Sequence, residues 1–386
     1  MAIPFKYNLR NLRLRWVTSL LTAGGIGLVT LIFLGMFSMG LGIERSLLSS
    51  GHPLNLILLR TGATAESHSI VTKPQVDDVL SIEGIVRDAG GRPLVSPELV
   101  TVANLEKAGG NKANAAIRGV GPMARALRGN IEIVAGEWFR PAVGELVVGV
   151  GAARRFKRMG VGEAIFFRGR EWRVVGHFSA EGQSFESEIW GDVDDLKAQF
   201  QLDTSAVLLR CRDEAEMTRI ANVVRGDKRL SLDAKPHLDY FRENNDAAEM
   251  LKAMGSMVGV VLAIGAVFGA ANTMFTAVAS RTREVATMQV LGFSRLAVGL
   301  SFVIEAALLG LAGGLAGVLV GALLLDGAAA GTVNWNTFSD MAFKFRVGPG
   351  LMAAGVALAV GTSVVGGLLP AWRASRTGLA RSLRGL

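Results

Sequence analysis

The sequence predicts an α-helical membrane protein with four transmembrane helices plus an α+β two-lobed extracytoplasmic domain. Two observations predict this fold class: four long segments have almost no charge, and basic residues gather at alternate ends of those segments. A helix needs about 20 residues to cross about 30 Å of hydrocarbon, and each segment exceeds that length. Half of the 386 residues are hydrophobic and the mean hydropathy is +0.37, which is too apolar for a soluble protein of this size.

The four charge-poor segments predict the spans. Transmembrane helices are expected at residues 17–42, 253–280, 296–325 and 347–372. A cleaved secretory signal is the alternative for the first segment. Its apolar run is much longer than the roughly 7–15 residues of a signal peptide, and no small-residue cleavage site follows it, so a span is favoured.

Basic residues orient the spans. The segments 1–16, 281–295 and 373–386 carry net charges of +4, +2 and +4, against +8 for the whole chain. The positive-inside rule therefore places these three segments in the cytoplasm and the segments 43–252 and 326–346 outside. Because the basic residues flank spans, the sequence pI near 10 is weak evidence for nucleic-acid binding, and no nucleic-acid partner is expected.

Residues 43–252 are numerous enough to bury a core of their own. Strand and helix patterns alternate along them, with a hairpin expected around Gly169–Arg170 because a two-residue link containing glycine favours a tight turn. Cys211 is the only cysteine, so no intrachain disulfide is possible. The polar stretch 239–250 leads into the second span either as a continuing helix or as a flexible hinge.

The shorter outer segment 326–346 contains four aromatic residues, which are Trp335, Phe338, Phe343 and Phe345. Aromatic side chains next to spans often lie at the level of the lipid headgroups. We expect that role here in preference to a ligand pocket.

The sequence lacks the motifs of the common catalytic and cofactor sites. It has no phosphate loop and no nucleophile elbow. Its four histidines, which are His52, His68, His177 and His237, have no partner at metal-ligand spacing. We therefore predict a non-catalytic membrane subunit that binds no cofactor directly.

The third predicted span is rich in glycine. Five of its glycines form three overlapping Gly-x-x-x-Gly pairs, and they are Gly310, Gly313, Gly314, Gly317 and Gly321. Without side chains two helix backbones approach closely, so these positions predict helix packing, within the chain or across a dimer. A substrate pathway is the lesser alternative.

Two polar side chains lie within the predicted spans. A carboxylate at the depth of Glu305 is costly unless it is paired, protonated or facing water, which makes this residue a functional candidate. A hydroxyl or the amide of Asn272 is the alternative neutralising partner.

The cytoplasmic segment 281–295 is longer and more helix-prone than a turn between two spans requires. Val285, Met288, Gln289 and Gly292 fall at a spacing of three to four residues, which predicts an amphipathic helix along the membrane face. It is either a simple interfacial helix or a docking element for a cytoplasmic partner.

Several motifs together resemble those of MacB/FtsX-type ABC transporter permeases. They are SRTREV at 280–285 and QVLGFSR at 289–295 with Asn272 upstream, LPAWRASR at 369–376, YNLRNL at 7–12, and VAGEWF at 134–139, GELVVG at 144–149 and WRVVGHF at 172–178 in the outer segment. The resemblance extends over essentially the whole chain.

This resemblance implies a bacterial inner-membrane permease that works as a homodimer or with a similar permease and binds two copies of a separate ABC ATPase. It implies that ATP is used by the ATPase. It also implies that the movement of the ATPase is transmitted to a coupling helix, whose residues would be Arg281, Arg283, Glu284, Met288, Gln289, Gly292 and Arg295. The motion would pass to a MacB-like periplasmic core domain at 43–252 (mechanotransmission). The cargo would be lipidic or amphipathic: a lipoprotein, lipid, drug or peptide. A periplasmic adaptor, an outer-membrane protein and membrane lipids are further possible partners.

Two departures qualify the resemblance. No ATPase domain precedes the first span, unlike MacB itself, and the outer segment is larger than that of the cell-division members, which argues against a division role. Two other functional classes stay open, namely a membrane receptor and an envelope scaffold without energy coupling. The receptor class predicts a cytoplasmic output domain, for which the inner segments are too short.

Overall fold

The computed structural model describes residues 5–334 and 339–376. The chain divides into two compact units. The membrane unit comprises Met1–Leu41, Glu249–Ala328 and Phe345–Leu386. The outer domain comprises Gly42–Ala248 and Ala329–Lys344.

Helices and strands alternate along the described chain. The helices are α1 (Phe5–Leu14), α2 (Trp16–Leu48), α3 (Lys73–Leu80), α4 (Ala124–Arg128), α5 (Val150–Arg155), α6 (Val193–Phe200), α7 (Glu214–Gly226), α8 (His237–Glu243), α9 (Asp246–Ser280), α10 (Thr282–Val290), α11 (Arg295–Leu325) and α12 (Pro349–Ser375). The strands are β1 (Asn55–Arg60), β2 (Val95–Glu106), β3 (Lys112–Val120), β4 (Glu132–Gly136), β5 (Glu145–Gly149), β6 (Ala164–Phe167), β7 (Arg170–Ser179), β8 (Glu188–Asp192), β9 (Ala206–Arg210), β10 (Leu232–Pro236), β11 (Ala329–Asn334) and β12 (Ser339–Lys344).

Four helices are long and apolar enough to cross a membrane, and they are α2, α9, α11 and α12. This confirms the predicted number of spans. α2 continues to Leu48, beyond the apolar segment, because Glu44 and Arg45 extend the helix without breaking its hydrogen bonds. α9 likewise begins at Asp246, so the polar stretch before the second span is helical on both sides of a short break at Asn244 and Asn245.

The outer domain is built on one sheet in the strand order β10-β1-β9-β2-β3-β8-β5-β7-β4, with β6 paired to β7. The pairs β3–β8 and β5–β7 are parallel and the remaining pairs are antiparallel. Two separate hydrophobic cores lie along this sheet. One surrounds Trp172 and Ile189, and the other surrounds Leu58 and Ile220. The predicted α+β, two-lobed domain is therefore confirmed.

The turn between β6 and β7 lies one residue earlier than the sequence indicates. Arg168 and Gly169 occupy it, with φ angles of 54° and 79°. Two consecutive left-handed residues match the twist of the flanking strands, which is why this turn suits a tight hairpin.

The outer segment between the third and fourth spans forms an antiparallel hairpin of β11 and β12. Phe343, expected at the lipid headgroups, is only 3% exposed because it packs inside the outer domain. Trp335 and Phe338 lie outside the described residues.

Candidate functional site

The cytoplasmic segment between the second and third spans contains α10, and both of its ends are defined by local geometry. Gly292 ends the segment's helical path with a φ of +91°, a left-handed conformation that glycine adopts without a steric cost. Ser294 then caps α11 by accepting a hydrogen bond from the backbone N–H of Ala297 at 3.2 Å. α10 is therefore a discrete helix between two spans.

Arg281, immediately before α10, forms a buried ion pair with Glu305 on α11. Its Nη1 and Nη2 atoms donate to the two carboxylate oxygens at 2.8 and 3.3 Å. The two side chains are 8% and 5% exposed. Glu305 lies ten residues into α11, or about 15 Å along the helix axis. The partner of this intramembrane carboxylate is thus Arg281, and neither a hydroxyl nor Asn272.

The predicted coupling residues have different environments. Arg283, Glu284, Gly292 and Arg295 are exposed, whereas Met288 and Gln289 are half-buried. Met288 packs against the apolar cluster shared by α9, α11 and α12, as does the buried Val285. Val285 and Met288 therefore pack α10 against the spans of the same chain.

The opposite side of α10 is open. Next to Arg283 it presents Thr287, Val290 and Leu291, and the last two are 65% and 66% exposed. None of these three was singled out from the sequence, although their spacing places them on the helix face opposite Val285 and so indicates an exposed surface. Apolar side chains exposed beside a cationic one are a feature of docking surfaces.

The N-terminal helix α1 contacts this segment and was missed as a site element. The Tyr7 hydroxyl donates to Glu284 Oε2 at 2.8 Å, and the Ser301 hydroxyl of α11 donates to Asn8 Oδ1 at 2.5 Å. Burial, followed by the hydrogen bond to Glu284, raises the pKa of Tyr7, so its hydroxyl stays a donor at neutral pH. The YNLRNL motif, which places Asn8 and Asn11 on one helix face, was the available signal.

The five clustered glycines of the third span, from Gly310 to Gly321, face two different helices of the same chain. A Cβ on Gly310 would lie 2.7 Å from the carbonyl oxygen of Ala359 on α12. A Cβ on Gly314 would lie 2.8 Å from the Cβ of the same alanine. On Gly313 it would lie 2.5 Å from Ala23 O of α2, and on Gly317 it would overlap Gly27 O. A Cβ on Gly321 would contact Leu34 Cδ2 at 3.0 Å. α11 is therefore packed backbone to backbone between α12 and α2.

Asn272 has a different setting. Its side chain is exposed on α9 and lines a groove of about 470 Å³ between α2 and α9. Within this groove the Thr22 and Thr273 hydroxyls are hydrogen-bonded at 3.0 Å. An amide exposed to lipid on a span is energetically costly, so this surface is a candidate for contact with another polar group.

In the outer domain, sequence reasoning missed a buried network of five charged residues. Arg118 forms ion pairs with Glu66, Glu98 and Glu188 at N···O distances of 2.7–2.8 Å. Arg128 forms one with Glu98 at 2.6 Å. Burial acts to raise the pKa of Glu98, but the charges of Arg128 and Arg118 outweigh it and lower that pKa to about 2. The network joins β2, β3 and β8 near the middle of the sheet, and its members are 20–70 residues apart.

Comparison with known proteins bears on both units. A family model described as the MacB-like periplasmic core domain matches residues 19–226, and one described as the FtsX-like permease C-terminal matches residues 256–379. The macrolide export ATP-binding/permease protein MacB of Hyphomonas neptunium is 24% identical over 97% of this chain and 60% of its own length. An uncharacterized ABC transporter permease of Methanocaldococcus jannaschii is 22% identical over 82% of each chain. The crystal structure of the periplasmic region of MacB from Actinobacillus actinomycetemcomitans aligns with 53% of this chain and 97% of its own, at 11% identity and a TM-score of 0.37.

The chain spans about 60% of the length of the Hyphomonas MacB and a smaller share of other MacB relatives. The periplasmic core domain match alone covers more than half of the sequence, and the permease match covers the last three spans. This multi-pass membrane protein with an extracytoplasmic domain therefore belongs to the MacB/FtsX-type family of ABC transporter permeases.

Proposed function

We propose that this permease receives force from a separate ABC ATPase at α10 and passes it to the periplasmic domain in the bacterial inner membrane. The observation that carries the proposal is the buried Arg281–Glu305 pair, which ties the start of α10 to the interior of α11. The open face of α10, with Arg283, Val290 and Leu291, would contact the ATPase. ATP would be bound and hydrolysed by two ATPase copies, outside this chain.

The contacts around α10 support force transfer. A displacement of α10 must either move α11 or separate a buried charge pair, and separating such a pair costs several kcal/mol. α11 in turn packs against α2 and α12 through glycines, at distances that leave no room for a side chain between the helices. Tyr7 and Glu284 add α1 to the same assembly. A push on one short helix would thus reach three of the four spans.

A second permease copy would complete the membrane part. The exposed face of α9 has large apolar side chains, among them Val261, Ile264 and Phe268, together with the exposed Asn272. Lipid covers the apolar side chains well but gives the amide no partner. We infer that the groove between α2 and α9 faces the partner copy, where the amide finds a hydrogen bond.

The proposed cargo is lipidic or amphipathic: a lipoprotein, lipid, drug or peptide. The relative from Hyphomonas neptunium is named for macrolide export, and macrolides are amphipathic molecules. A periplasmic adaptor and an outer-membrane protein would complete the route out of the cell.

Charge reversal on α10 tests the coupling proposal. In cells that also produce the cognate ATPase, we expect Arg283→Glu to reduce ATPase co-purification with the permease at least tenfold, which corresponds to about 1.4 kcal/mol. Arg10→Glu is the matched control, because Arg10 is an exposed arginine of α1 and not of α10. Equal ATPase recovery with both variants and with the unchanged chain would remove α10 as the docking site. Absence of any ATPase in the pull-down would favour a receptor or scaffold.

A further inference from the structure

The outer domain contains a cavity of about 620 Å³ beneath the β11–β12 hairpin. Its walls come from the two hairpin strands, the start of α5 and the turn at Ser184–Ser187, all within the outer domain. Sites for small molecules have volumes of about 300–1,000 Å³. The cavity is therefore large enough for a ligand and is separate from the coupling site.

Two glycines let the walls approach each other. A Cβ on Gly151 would lie 2.8 Å from the carbonyl oxygen of Glu186, and one on Gly331 would overlap the guanidinium of Arg155. The Arg155 side chain thus lies directly on the β11 backbone. The cavity has a cationic group built into its wall by close backbone approach.

The charge of the cavity is positive. Arg154 and Lys344 line it as exposed cations, and neither forms an ion pair with any residue that the structure describes. Among the lining residues that the structure describes, Glu186 is the one acid, and its Oε1 already accepts hydrogen bonds from the Ser179 hydroxyl at 2.8 Å and from the Ala180 and Gly182 N–H groups at 2.9 and 3.0 Å. An anion at the mouth would therefore meet cations without acidic partners.

The inner lining combines apolar surface with one unsatisfied acceptor. Val150, Ala330, Ala342 and Phe343 supply the apolar part. Gln183 is 7% exposed, and its side-chain carbonyl has no hydrogen-bond partner in the described part of the chain. A buried acceptor left unpaired is destabilising, which makes Gln183 a costly residue at this wall of the cavity.

We propose that this cavity binds a single acyl chain that carries an anionic headgroup, such as a fatty acid or a lysophosphatidate. The acyl chain would cover the apolar lining and the headgroup would lie between Arg154 and Lys344. Three residues separate the end of α11 from the start of β11, and four separate the end of β12 from the start of α12. Short connections thus join the two strands of the cavity wall to two spans in the sequence. The site does not depend on coupling to an ATPase.

Photolabelling of the full chain in detergent tests this site. The probe is a lysophosphatidate with a diazirine in its acyl chain, and the adducts are mapped by mass spectrometry. We expect saturable labelling of peptides that contain residues 150–155 and 339–344. Unlabelled lysophosphatidate and palmitate should both displace the probe. A neutral monoacylglycerol should displace it at least tenfold less well, because it lacks the charge-assisted contact with the two basic residues.

Paired variants provide the decisive comparison. Arg154→Glu with Lys344→Glu is expected to weaken labelling at least tenfold, and Ala342→Trp to block it by filling the cavity. The matched control is Arg212→Glu with Lys228→Glu, an exposed arginine and lysine of the same domain away from the cavity, and it should label normally. The proposal fails if the neutral competitor matches the anions, if labelling is confined to the spans, or if the cavity variants label like the control.

Discussion

At the scale of single residues, the buried pair of Arg281 and Glu305 is the feature on which the membrane unit depends most directly. Neither charge is stable at this depth without the other, because desolvation of an ion costs several kcal/mol. The pair also sits where a cytoplasmic helix meets a span.

We expect Arg281→Met to destabilise the detergent-solubilised protein by about 3–5 kcal/mol, since Glu305 is left buried and unpaired. The double variant Arg281→Met with Glu305→Met should recover most of this loss. Thermal unfolding of the purified chain measures both.

Arg295→Met serves as the control, because Arg295 is exposed and its loss should change stability by less than about 0.5 kcal/mol. A double variant as unstable as the single one would show that the pair stabilises the fold by more than mutual neutralisation.

At the scale of elements, α11 is held between two helices that approach it on different faces. Gly310 and Gly314 face α12, whereas Gly313 and Gly317 face α2. A side chain at any of these positions would have to occupy space filled by a backbone oxygen of the neighbouring helix or, at Gly314, by the Cβ of Ala359. This is why the helix carries so many glycines despite their poor helix propensity.

Gly317→Ala tests this packing. Because its Cβ would overlap Gly27 O, we expect α2 and α11 to separate and the protein to lose about 1–3 kcal/mol of stability. The same substitution at Gly361 of α12, where nothing lies within 4 Å of the added atom, should be neutral or stabilising by up to about 1 kcal/mol.

Thermal unfolding of the two glycine variants under identical detergent conditions gives the comparison. If Gly317→Ala were as stable as Gly361→Ala, the backbone contact between α2 and α11 would not contribute as described.

At the scale of the whole molecule, the outer domain combines two cores on one sheet, joined by a network of buried charges. His237 lies beside that network and contacts the ring of Phe241. Burial first, and then the charge of Arg128, lower the pKa of His237 to about 3. The folded domain therefore requires this histidine to be neutral.

The sign of the pH dependence follows from this pKa. Between about pH 6.5 and 3 the unfolded chain binds a proton at His237 that the folded domain does not bind, so stability falls as the pH is lowered through that range. The slope from this group is at most about 1.4 kcal/mol per pH unit. Hydrogen exchange of outer-domain peptides in the full chain measures it.

His237→Gln should flatten that slope, whereas the exposed His68→Gln should leave it unchanged. An identical slope in both variants would assign the acid sensitivity of the domain to other groups.

Local patterns allowed much of the fold to be predicted. The charge-free stretches indicated α2, α9, α11 and α12, and the succession of strand and helix patterns indicated an α+β outer domain. The helix ends differ, as at Leu48, because a helix can continue through polar residues once the membrane ends. The assignment of the coupling residues to an ATPase stays a prediction.

By itself, the sequence determined the spans, their predicted orientation and the presence of an α+β outer domain, because these depend on composition and periodicity over short stretches. Only the tertiary structure decided which groups meet: Arg281 with Glu305, Tyr7 with Glu284, and Arg118 with three glutamates. Those partners are 20 to 277 residues apart. Their pairing is set by how helices and strands pack, and a one-dimensional pattern does not encode which charges share a buried site.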